Sequence, residues 1–166
     1  ALSEAGGLLN APDVYMDKIA AGPDVPTGAI DLDNTAVENI NNVAEAVGKN
    51  PKDVVACILD RPRHAELISA VREAGARIIL IGDGDVAGVM ATAMPETNID
   101  VYMGTGGAPE GVLAAAALRC IGGNIQGRLL FRNDNERGRA AKVGVEDLNR
   151  KYAITDLAEG DVIFAA

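Results

Sequence analysis

The chain has 166 residues, enough to bury one hydrophobic core without disulfide or metal staples. With 48% hydrophobic and 23% charged residues it has the composition of an ordinary globular domain, which excludes a disordered chain, and no run approaches the roughly 18 apolar residues of a membrane span. Fifteen Lys and Arg against 24 Asp and Glu leave a formal charge of −9, and aromatics are only 3%, so the chain repels nucleic-acid backbones, lacks a base-stacking platform, and must hold any anion with a local cluster of cations.

Residues 1–22 (ALSEAGGLLNAPDVYMDKIAAG) read as strand, turn, strand, broken at Gly6-Gly7 and again at 10–13. So short a hairpin is marginal alone in water, and the segment is expected at a sheet edge, awaiting a partner. Thr35 and Glu38 form a capping box before a helix over 35–48. Its apolar positions Val37, Ile40, Val43, Ala44 and Val47 recur at helical spacing, and Gly48 ends it. A strand–helix pattern then repeats. VVACIL (54–59) is an apolar run suited to a strand covered on both faces, followed by RPRH and a helix over 63–74. RIILIG (77–82) is the next such strand, then DGDV and a helix to Met94. IDVYMG (99–104) is the third, then TGGAPEG and an Ala-rich helix closed by Gly122-Gly123. IQGRLLF (125–131) reads as a strand, 135–150 as a polar helix, the charged stretch 132–150 as a solvated helix face, and the terminal DVIFAA as a last strand. This alternation predicts an α/β domain, its sheet largely parallel and flanked by helices on both faces, with 1–166 as one unit and no internal linker.

Cys57 and Cys120 are expected to be buried, reduced thiols. His64 is the only histidine, so no zinc spacing exists and a Ser-His-Asp triad has a single possible base. Chemistry is therefore sought where open α/β sheets place it, beyond the carboxyl ends of the strands. The first such loop carries Arg61 and Arg63 around Pro62; an isolated Arg pair is commonly idle in solvent, but at a strand end beside a helix start guanidiniums are phosphate ligands. The second carries Asp83 and Asp85 around Gly84. One Asp suffices to cap a helix; a second can accept from sugar hydroxyls or bind a hard cation. The third carries Gly104, Gly106 and Gly107 before Pro109 and Glu110, glycines that let backbone approach a ligand. It is neither the dinucleotide fingerprint, since Pro109 stands where a third Gly should be, nor a Walker loop, since no Gly-Lys-Ser/Thr follows. Cations for phosphate, carboxylates for hydroxyls or a metal, and bare backbone together suit a sugar phosphate. Met16, Met90, Met94 and Met103 read as core filler.

The segments LLNAPDVYMDK, LDRPRH, GDGDVAGVM, GTGGAPEGVLAAAALRCIGGNIQGRLL and DVIFAA resemble the class II fructose-1,6-bisphosphatases, over about residues 7–131 and the last few positions. The resemblance implies the layered, inositol-monophosphatase-like sugar-phosphatase fold. It implies Mg²⁺- or Mn²⁺-dependent hydrolysis of the 1-phosphate of fructose 1,6-bisphosphate in gluconeogenesis, with sedoheptulose 1,7-bisphosphate accepted by some members. Carried over, Tyr15, Arg61, Pro62, Arg63, Asp83, Gly84, Asp85 and Gly107 contact the substrate, and Glu110 helps bind a metal. The family's Asp-Pro-x-Glu-Gly-Thr metal motif is absent from these 166 residues, and 132–158 look shorter than the family pattern. The chain is accordingly expected to be a C-terminal portion of a longer two-domain phosphatase, inactive alone, with 1–22 as leftover strands of an N-terminal half. A cytoplasmic location and a homo-oligomeric full-length enzyme are expected, with a sugar bisphosphate as partner and no nucleic acid or membrane. Two other readings stay open: a non-catalytic sugar-phosphate-binding module and an inositol-phosphatase-like enzyme.

Overall fold

Thr35 Oγ1 accepts from the Glu38 N–H at 3.2 Å, and Glu38 Oε2 accepts from the Thr35 N–H at 2.7 Å. This capping box opens helix α1 (Ala36–Val47), and Gly48, at φ 67°, closes it. Thr35→Ala is expected to cost about 1 kcal/mol in urea denaturation. A cost near zero would show that water replaces the cap.

The computed structural model describes residues 1–166. Its further elements are β1 (Leu2–Ser3), β2 (Tyr15–Ala21), β3 (Val55–Leu59), α2 (Ala65–Glu73), β4 (Arg77–Ile81), α3 (Asp85–Ala91), β5 (Val101–Gly107), α4 (Ala108–Ile121), β6 (Asn124–Leu130), α5 (Asp134–Lys142), β7 (Lys151–Ala153), α6 (Ile154–Leu157) and β8 (Val162–Ile163). Six strands form one sheet in the order β4-β3-β5-β2-β6-β7, and β1 pairs separately with β8. β3 is parallel to β4 and β5, because helical crossovers bring successive strands back in the same direction. β2 lies antiparallel between β5 and β6, and β7 antiparallel to β6. The sheet is thus mixed: β3, β4, β5 and β6 share one direction, and β2 and β7 oppose it. The largely parallel sheet predicted from the alternation is modified at its centre.

Residues 1–22 depart furthest from expectation. β2 is no edge piece: all seven of its residues pair on both sides, Tyr15 with Gly107 and with Leu130. β4, predicted to be buried, is the edge strand instead and exposes Ile79 and Leu80. The helix predicted over 135–150 stops at Lys142, and Gly144, at φ 85°, turns the chain toward β7.

Two cores fill the two faces. One packs α3, α4 and α6 onto Met16, Ala20, Cys57, Tyr102 and Ile125. The other packs α1 and α2 onto Ile19, Ala56, Ile58, Val101 and Met103. Helices therefore cover both faces, as predicted, and all five residues of β3 are buried. Burial pushes the Cys57 thiol up to about 11, which keeps it protonated and unreactive at neutral pH. Cys120 is exposed, contrary to expectation, because the last turn of α4, residues 119–121, faces solvent; its Sγ lies 3.3 Å from the Val162 carbonyl. No helix is long and apolar enough to cross a membrane.

Candidate active site

The parallel strands β3, β4 and β5 end on one side of the sheet. The antiparallel β2 begins there, with Tyr15 in register beside Gly107. That geometry gathers Tyr15, Arg61, Arg63, Asp83, Gly84, Asp85, Gly106, Gly107 and Glu110 around a single open cleft of about 410 Å³. Pro62 does not line it; it opens the 3-10 turn Pro62–His64 that delivers Arg63. Arg63 donates through Nε and Nη2 to the Thr105 carbonyl at 3.1 and 2.6 Å, and its guanidinium lies 5.0 Å over the Tyr15 ring. Arg61 turns back to the Asp60 carbonyl at 2.9 Å.

The two aspartates are not equivalent. Asp83 is exposed and accepts only from the Gly84 N–H, at 2.8 Å. Asp85 does not stand free as the sequence suggested. Its Oδ2 lies 2.5 Å from the Nζ of Lys18, a residue that is 1% exposed. The glycines also serve a packing purpose that the sequence did not show. A Cβ on Gly106 would collide with Asp85 Oδ2, one on Gly107 with Glu110, and one on Gly104, at φ 144°, would crowd the His64 ring. These glycines line the cleft's backbone and also make room for side chains of the site.

Glu110, in the first turn of α4, was the one metal ligand inferred from the sequence. No group of three or more His, Cys, Asp or Glu side chains gathers anywhere to hold an ion, so Glu110 falls short of the six-oxygen shell a Mg²⁺ demands. The residues present do not by themselves fit a divalent metal.

Residues 1–166 match the family described as bacterial fructose-1,6-bisphosphatase, glpX-encoded. The chain belongs to this family. It is 43% identical over 180 aligned positions to the D-fructose 1,6-bisphosphatase class 2/sedoheptulose 1,7-bisphosphatase of Trichodesmium erythraeum, covering 100% of this chain and 52% of that protein. Proteins of the same name from Crocosphaera subtropica and Synechocystis sp. are 41% identical over 179 positions, with the same coverage. The chain spans about half the length of these relatives.

In this glpX-type chain the structure adds residues that sequence reasoning passed over. His64 is buried. The Thr105 N–H donates to its Nε2 at 2.8 Å, so Nδ1 carries the proton and donates to the Leu59 carbonyl at 2.7 Å. Both ring nitrogens are occupied, and the imidazole ties the end of β3 to the end of β5. Arg132 places a second guanidinium 4.7 Å over Tyr15. It is held by Glu136, which accepts from the Arg132 N–H at 2.7 Å and from Nε at 2.8 Å. Glu136 is 1% exposed, although the charged sequence of 132–150 predicts a solvated face. The only sequence signal was the i, i+4 spacing of Arg132 and Glu136.

The Arg132 side-chain hydrogen bonds, then its N–H, hold the Glu136 carboxyl below the ordinary 4.5. A folded-state value below the unfolded one contributes stability above about 4.5 that is lost as pH falls through the folded value. Glu136→Gln is therefore expected to melt lower than the wild type at pH 7. The deficit should vanish on acidification below that range, as thermal melts across pH would show; a deficit independent of pH would contradict it.

Proposed function

We propose that this chain supplies the sugar-phosphate-binding loops of an enzyme that hydrolyses the 1-phosphate of fructose 1,6-bisphosphate to fructose 6-phosphate and inorganic phosphate, a reaction of gluconeogenesis. The observation that carries the reading is the convergence of two arginines, two aspartates and Glu110 on a single cleft, in a chain of the glpX family. In a protein of net charge −9, that cation pair is a local feature able to hold a phosphate. Arg61 and Arg63 take the distal phosphate, and the Tyr15 ring backs Arg63. Asp83 and the remaining oxygen of Asp85 accept from sugar hydroxyls, while the Gly107 backbone borders the sugar. Binding the distal phosphate orients the 1-phosphate toward Glu110, so remote binding energy contributes to alignment. A divalent ion, Mg²⁺ or Mn²⁺, is the cofactor we assign to the whole reaction, and its remaining ligands lie outside these residues.

The test is calorimetric titration of fructose 1,6-bisphosphate, paired with a phosphate-release assay in Mn²⁺ or Mg²⁺ against a chelator control. Binding without release is expected. Robust metal-dependent release would overturn the incomplete ligand set, absence of binding would overturn the site, and a preference for inositol monophosphate would overturn the substrate. The second activity in the relatives' names makes sedoheptulose 1,7-bisphosphate the first alternative ligand to titrate.

A further inference from the structure

Lys18 lies in the middle of β2, between Met16 and Ala20 on the face covered by α3 and α4, and is 1% exposed. Its Nζ donates to Asp85 Oδ2 at 2.5 Å and to the Gly107 carbonyl at 3.0 Å. Burying an ammonium is costly unless it is paired and hydrogen-bonded, and apolar residues often fill such a place equally well, so stability alone gives no reason for a lysine here. The surroundings are shaped to admit it. A Cβ on Gly106 would sit 3.0 Å from Nζ, and one on Gly111 3.4 Å from Cδ. The two groups that Nζ contacts belong to different walls of the cleft: Asp85 begins α3 after β4, and Gly107 ends β5.

We propose that Lys18 is a positioning residue, which locks the 83–85 loop to the end of β5 and commits Asp85 Oδ2 inward, leaving Oδ1 as the carboxylate's acceptor for a ligand. What the positioning serves, the sugar hydroxyls of a bisphosphate, rests on the function proposed above. The lock itself does not, and it is measurable without ligand.

The variants are Lys18→Met and the double variant Lys18→Met with Asp85→Asn, which leaves no orphan carboxylate. Lys49→Met is the control. Lys49 also pairs with a carboxylate, Asp100 at 2.8 Å, but beside the amino ends of β3 and β5. Amide hydrogen exchange followed by NMR is expected to quicken roughly 10-fold or more at residues 84–86 and 106–108 in both Lys18 variants, with α1 unchanged and the control like the wild type. Calorimetry is expected to show fructose 1,6-bisphosphate bound roughly 10-fold more weakly or worse, with inorganic phosphate, which needs only the arginine loop, bound as in the wild type. A merely structural lysine would weaken both ligands equally, and that result overturns the proposal. Unchanged exchange in both loops overturns it too, as does failure of both Lys18 variants to fold. If the wild type binds no bisphosphate, the functional reading falls, and the exchange data still decide the role of Lys18.

Discussion

Arg63→Ala is expected to weaken fructose 1,6-bisphosphate binding by roughly 100-fold or more, since two charge-assisted hydrogen bonds contribute about 1.5–3 kcal/mol each when partly desolvated. The fork is already oriented. Nε and Nη2 are anchored on Thr105, and the guanidinium plane rests over Tyr15, so a phosphate meets a group that has little freedom left to lose. Arg63→Lys keeps the charge but not the fork and should fall between wild type and Arg63→Ala. Arg137→Ala is the matched control, because Arg137 sits on exposed α5 and pairs only with solvent-exposed Asp134. Titration calorimetry on the three variants decides it; equal losses for Arg63→Ala and Arg137→Ala would remove the arginine loop from the site.

Met16→Ala is expected to cost about 2–5 kcal/mol, through lost burial and the cavity left behind. For a domain of this size that lowers the melting temperature by roughly 10 °C. Met16 is 0% exposed and lies between Gly111 of α4 and Gly127 of β6; a Cβ on either glycine would collide with its Sδ. The glycines and the methionine are therefore one packing unit, which predicts strong coupling. Gly127→Ala should destabilise the wild type but cost little in the Met16→Ala background, because the cavity takes the new methyl. A double-mutant cycle by chemical denaturation tests this, and additive effects would show that Sδ is not wedged there. Met16 shares its strand face with Lys18, so the same packing unit adjoins the buried lysine.

Much of the cleft was legible in the sequence because parallel β-α topology is repetitive. Once 54–59, 77–82 and 99–104 read as successive strands with helical returns, their following loops had to open on one side of the sheet. That pattern alone groups Arg61, Arg63, Asp83, Asp85 and Glu110 on one side. Helix α1 was equally legible, since a capping box and a C-terminal glycine are contacts within a single turn of helix.

Other features depend on pairs far apart in the chain. β2 reads as a short, weak strand, yet it is central because β5 and β6 leave a slot for it, with partners of Tyr15 at 107 and 130. Nothing local in the sequence singles out Lys18, whose partner Asp85 lies 67 positions away. His64 has one ring partner, Leu59, five residues back at the end of β3 and another, Thr105, across the sheet. Composition, periodicity and capping are local quantities, so the sequence by itself determined most element types and the side of the sheet that carries the chemistry, while its loop motifs carried the family resemblance. Strand order, the insertion of β2, and the ion pair that joins two walls of the cleft were decided only by the tertiary structure, because they arise from which distant surfaces can be buried together.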